Sequence, residues 1–182
     1  LSLLGLLLAV SPAGSAWSLD AWRASRRRGE QSDRAPASPA TVSRVWLLTF
    51  RFQIAVVYTF AGLAKAHSDW LIHAQPLRIW LSAKTDLPML GPLLLTSWAA
   101  PVMSWAGFLF DHAIPWLLMI ARIRPLAYSL VIVFHALTYV LFPRITMFPV
   151  IMITAALVFF PPDWPRTLAA RWAGRRTIPL AA

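Results

Sequence analysis

The sequence predicts an all-α protein: a polytopic transmembrane helix bundle with an amphipathic helix lying in the membrane interface. Three observations predict it. Of 182 residues, 58% are hydrophobic and 13% are charged, and the mean hydropathy is +0.60. Soluble domains carry about 25% charged residues, so this chain has too little polar surface to cover a water-soluble fold. The apolar residues also gather in runs long enough to cross a bilayer. Finally, the net charge of +10 sits in short arginine clusters at the ends of those runs. Lipid headgroups and the positive-inside rule produce that pattern. A nucleic-acid-binding protein would carry such charge on a polar face, so no nucleic acid partner is expected. The chain has no cysteine, which excludes disulfides, zinc–thiolate sites and thiol nucleophiles. No metal is expected.

The elements follow in order. Residues 1–10, LSLLGLLLAV, read as the last turns of a spanning helix whose start precedes the chain; a secretory leader would need basic residues ahead of its apolar core. Residues 11–44 form a polar loop rich in serine, proline and arginine. Within it Ser18 or Asp20 could cap a short helix from Ala21, and residues 29–41 have the composition of a flexible connection. Spans are expected at about 46–66, 98–121, 126–142 and 146–160. Pro92 and Pro101 delay or bend the helix entering the second, and Pro115 is a candidate kink within it. Pro143 and Arg144 separate the third span from the fourth, and PPDWPR closes the membrane domain, which covers residues 1–172. Residues 173–182 are a basic tail. Between the first two spans, residues 70–90 mix Trp70, Ile72, Leu77, Trp80 and Leu81 with His73, Arg78 and Lys84. That mixture suits a helix at headgroup depth.

Arginine placement orients the spans. The arginines of 21–44, 122–124 and 166–176 fall on one side, against Lys65, Arg78, Lys84 and Arg144 on the other. The positive-inside rule puts 21–44 and 161–182 in the cytoplasm and 66–90 outside it, as in a bacterial-type plasma membrane.

Ionisable groups at bilayer depth are expensive and usually serve a site. Here they are Arg51, Lys65, Asp111, His112 and His135. Arg51 and Lys65 could each snorkel to a membrane face. His135 could be a hydrogen-bonded packing histidine. Asp111 must pair with something or be protonated, and His112, next to it, points elsewhere on a helix. On a continuous helix, Tyr58, Ala61, Gly62 and Asp69 share a face with Lys65. The small residues at 61 and 62 leave room beside the amine for a planar ligand or another helix. An apolar setting disfavours the charged ammonium, so a lysine there can act as a neutral general base; an ionised Asp69 nearby would push the other way. Lys65 is thus one plausible base among these five groups, and the candidate pocket residues are Tyr58, Gly62, Asp69, Trp70, Asp111, His112 and His135.

The order WSLDAW, RFQIAVVYTFAGLAKAHSDW, FHALTYVLF and FFPPDWPRTL resembles the vitamin K-dependent γ-carboxylase family and its multi-helix HTTM (horizontally transferred transmembrane) domain, over roughly residues 2–172. The resemblance implies an enzyme in which a lysine amine deprotonates a vitamin K-type hydroquinone. Oxygen addition then yields a strong base that takes a γ-proton from a protein or peptide glutamate; carbon dioxide adds, and the quinone leaves as its epoxide. The family's base lysine lies in the motif that reads AGLAKAHSDW here, at Lys65. Where the family often has two adjacent lysines, this chain has Lys65 and Ala66. Two other functions fit the composition. One is a non-catalytic quinone- or lipid-binding membrane module, as in DoxX-like proteins, which carry a similar AGLxK stretch. The other is a transport- or immunity-type membrane protein, although no internal repeat is visible.

Overall fold

In lipid, backbone amides and carbonyls must be satisfied within their own segment, so an apolar run folds as helix. The computed structural model describes residues 2–11, 19, 22–23, 26, 43–84, 86–142, 145 and 147–175. Among these are nine α-helices, a 3₁₀ segment and no strand. The helices are α1 Ser2–Val10, α2 Arg44–Leu63, α3 Ser68–Leu71, α4 Gln75–Ser82 and α5 Leu90–Leu94. They continue with α6 Ala99–Met119, α7 Arg124–Leu141 and α8 Met147–Ala155, which runs on as 3₁₀ over Ala156–Phe159. Last comes α9 Trp164–Arg175. The expected short helix from Ala21 and the connection over 29–41 lie almost wholly outside the described residues. So do Pro143, Arg144 and residues 176–182.

Among the described residues, three helices are long and apolar enough to cross a membrane: α2 with 20 residues, α6 with 21 and α7 with 18. At 1.5 Å per residue each spans about 30 Å, the thickness of a bilayer's hydrocarbon core. Their outward faces carry exposed Phe60, Trp105, Leu109, Trp116, Leu126 and Val133. A soluble protein would bury such surface; lipid accepts it. The apolar stretch Met147–Phe159 is shorter than the fourth expected span, because the chain turns at Phe160 into Pro161 and Pro162.

The chain divides into two compact units, Leu1–Gln53 and Ile54–Ala182. The first holds α1 and the opening half of α2, and in it the Arg26 guanidinium lies 4.0 Å over the Trp22 ring. In the second, α7 packs on α6 and α8, while α3, α4 and α5 pack on α6. One apolar cluster joins Ile54 and Tyr58 of α2, Ile114 and Leu118 of α6, Val131 of α7, Met152 of α8 and Phe159. A second joins Ala74, Leu77 and Leu81 with Leu94, Ala100 and Leu141. Lipid tails are as apolar as leucine, so these contacts hold the helices by close packing and not by escape from water. Arg124 closes the α6–α7 turn: its guanidinium donates to the carbonyls of Leu118 at 2.8 Å and Met119 at 3.2 Å. Those carbonyls end α6, where a cation suits both the unpaired acceptors and the helix dipole.

Two details differ from the sequence expectation. α2 stops at Leu63, and the chain tightens into a turn through Lys65 N–H to Gly62 O, 2.9 Å, and Ala66 N–H to Leu63 O, 3.0 Å. Residues 70–90 are broken into short helices by Ala74 and Met89, both in positive-φ conformations (47° and 64°). Within that stretch α4 is amphipathic, burying Leu77 and Leu81 and exposing Arg78, Ile79 and Trp80.

Candidate functional site

The end of α2 decides where the lysine goes. Because the helix closes at Leu63, the Lys65 side chain folds back along it. Its Nζ donates to the Ala61 carbonyl at 3.0 Å and to Asp111 Oδ2 at 2.6 Å, and sits 5.3 Å from the centre of the Trp70 ring. The Lys65 side chain is 20% exposed and that of Asp111 5%. The bilayer-depth carboxylate thus has its partner, reached from another helix. Few water molecules can screen a pair this buried, so each charge depends on the other.

Trp70 is held in turn. Its indole N–H donates to the Ser104 carbonyl at 3.0 Å, and the Ser104 hydroxyl donates to the Trp70 carbonyl. One residue further along each segment, the Trp105 indole N–H donates to Leu71 O at 3.0 Å. These bonds fasten α3 to α6 and fix the wall behind the lysine.

Lys65, Asp111 and Trp70 line a cavity of about 240 Å³ together with Tyr58 and His135. The rest of its wall is mainly apolar, including Leu77, Trp80, Phe134, Phe142 and Phe148. A mostly apolar pocket with a few convergent polar groups is the usual form of a small-molecule site. A cavity of about 150 Å³ holds one benzene ring, so this one has room for a fused bicyclic ring. Deeper in the wall, the Tyr58 hydroxyl and His135 Nε2 share a hydrogen bond of 3.0 Å. His135 is 1% exposed and ringed by Phe110, Phe134 and Phe148.

Of the predicted site residues, Lys65, Tyr58, Trp70, Asp111 and His135 come together. Asp69 does not: with α2 ended at Leu63, it falls on α3 and is exposed. Gly62 and His112 do not line the cavity either. The His112 ring lies against Gly62, so closely that a Cβ there would collide with it, and its Nδ1 donates to Phe108 O at 2.9 Å. The glycine therefore makes room for a neighbouring helix's side chain, and the ligand gains nothing from it. Arg51 belongs to the first unit. Sequence reasoning missed Gly107, Thr138 and Trp80, which also line the cavity. A signal existed: Gly107 precedes Asp111 by four residues and Thr138 follows His135 by three, the spacings that share a helix face. Among the described residues, no group of histidine and acidic side chains is placed to hold a metal ion.

Apolar-faced helices of spanning length, with an ion pair enclosed among them, define a polytopic integral membrane protein. The chain belongs to the HTTM domain family, whose profile matches residues 1–164, and is thereby related to the vitamin K-dependent carboxylases. No solved structure matches it.

Proposed function

We propose that this protein binds a reduced naphthoquinone of the vitamin K type in the cavity and uses Lys65, paired with Asp111, to take its phenolic proton, as the first step of quinol epoxidation. A protein or peptide glutamate is the acceptor in the full carboxylase reading. The observation that carries the proposal is the lysine–carboxylate pair on the wall of an aromatic-lined cavity large enough for a bicyclic ring.

The quinol, when bound, supplies that proton and the electrons for oxygen chemistry. The chain's part is proton handling. Before transfer the pair holds one proton between amine and carboxylate; after transfer it holds two, with Lys65 an ammonium and Asp111 a neutral acid. The net positive charge then faces the oxygen that gave up its proton, inside a site with little water. There such a charge is worth far more than in bulk solvent. Trp70 covers the amine, and the hydrogen bond to Ala61 O orients it. On the arginine pattern, Lys65 lies toward the extracytoplasmic face.

The pair also favours a second reading. A satisfied ion pair between α2 and α6 can serve as a structural tie in a non-catalytic quinone-binding module. The test is to incubate membranes carrying the protein with reduced naphthoquinone, oxygen and labelled bicarbonate, measuring epoxide and fixed label separately. The proposal predicts epoxide from the wild type and a fall of about 10²–10⁴-fold in Lys65→Ala, the usual worth of a general base. Quinol binding without epoxide leaves the module, and unchanged turnover in Lys65→Ala removes the base.

A further inference from the structure

Most of α9 is open. From Thr167 to Trp172 every residue is exposed, including Leu168 at 47% and Trp172 at 64%. Four residues apart, these two share one face of the helix. The charge on this stretch has one sign: residues 164–176 contain Arg166, Arg171, Arg175 and Arg176 and no acidic residue. A ladder of rings fixes the start of α9 to the bundle. Tyr128, near the start of α7, packs edge-on to Phe160 with 5.2 Å between centroids, and Phe160 meets Trp164 at 6.1 Å. α9 therefore departs from the end of the bundle where α7 begins, and the turn leading into α7 carries exposed Arg122. Ends of spanning helices lie at the boundary between lipid and water, where aromatic residues gather.

We propose that α9 lies on the membrane surface as an anchor for anionic phospholipid, with Leu168 and Trp172 turned into the headgroup–acyl boundary and Arg171 facing lipid phosphates. A helix with a short apolar strip and several arginines suits that position. Its charge complements an anionic leaflet, where each arginine near the surface is worth about fivefold in partitioning. A nucleic acid or an acidic protein would satisfy the arginines and leave the leucine and tryptophan in water. A second copy docked by the same face would bring arginine against arginine. An anionic lipid surface accounts for both the apolar pair and the charge. The anchor is independent of the cavity and stands whether or not a quinol binds there.

The chain has no cysteine, so single introduced cysteines report the face directly. Leu168→Cys and Trp172→Cys probe the apolar face. Ala170→Cys, two residues from each and so about 200° round the helix, probes the side away from it. The full chain is reconstituted in nanodiscs of phosphatidylcholine, with or without phosphatidylglycerol, and labelled with an uncharged, water-soluble polyethylene glycol maleimide. Phosphatidylglycerol should slow labelling at positions 168 and 172 by about 25-fold relative to position 170, the worth of two arginines. Adding Arg171→Gln should leave about fivefold. Salt at 1 M, which shortens the screening length to about 3 Å, should remove most of the effect. Slow labelling of the apolar face in both lipids, as expected if a protein or a second copy covers it, overturns the anchor. Fast labelling in both lipids, equal slowing at all three positions, or an unchanged effect with Arg171→Gln overturns it as well.

Discussion

The two apolar clusters of the second unit are built differently. The first, around Leu118, Val131, Met152 and Phe159, is closed by side-chain packing from α2, α6, α7, α8 and the 3₁₀ segment, with Tyr58 its one polar member. The second, around Leu77, Leu81 and Leu141, draws on short helices and smaller residues. It is tied to α6 by hydrogen bonds from Trp70, Ser104 and Trp105. The cavity takes Tyr58 and Met152 from the first and Leu77 and Leu141 from the second. The cavity lies where the two clusters meet, walled by the long helices with Trp70, Leu77 and Trp80 from the short ones, and the ion pair sits on its wall.

The sharpest way to break this contrast is to leave one charge alone on that wall. Asp111→Leu should strand Lys65 and cost about 3–5 kcal/mol, the usual penalty for removing one partner of a buried pair. Thermal unfolding in detergent or nanodiscs would show it, and an unchanged midpoint would mean that the pair is solvated. Next comes the packed side. Leu118 is 0% exposed, and Leu118→Ala should cost about 2–5 kcal/mol by lost contacts and a residual void, with little effect on quinol affinity measured by tryptophan fluorescence. The smallest stability change is expected at Gly107, where an added Cβ would meet only Phe134, at 4.0 Å. Gly107→Ala should raise stability by about 0.5–1 kcal/mol through helix propensity while trimming the cavity and weakening quinol binding. Opposite signs in those two measurements would mark the cavity as space kept for a ligand; tighter binding would argue that the ring lies elsewhere.

Much of this was legible in the sequence. Apolar runs and low charge announced α2, α6 and α7; the residues left Lys65 as one of five ionisable candidates, and the family resemblance picked it out. The need for a partner at Asp111 was also readable, since a carboxylate at that depth cannot stand alone. Its identity was not, because the pairing joins residues 46 positions apart. The exclusion of Asp69 depends on α2 ending at Leu63, and neither a proline nor a glycine beyond it signals that stop. Ala74 and Met89 themselves give no hint of a positive φ, although Pro76 in the first turn of α4 and Pro88 just before Met89 mark the boundaries. Gly62 was read as room for a planar ligand or another helix, and a histidine ring from α6 fills that room.

The central claim is that Lys65 and Asp111 act as a single acid–base unit on a phenolic proton. The most direct measurement is epoxide formation by Lys65→Ala, Asp111→Asn and the double variant, at equal amounts of folded protein. A single unit predicts that either change alone removes nearly all turnover and that the double variant is no worse than the weaker single one. Losses that multiply in the double variant, or full turnover in either single variant, would contradict it.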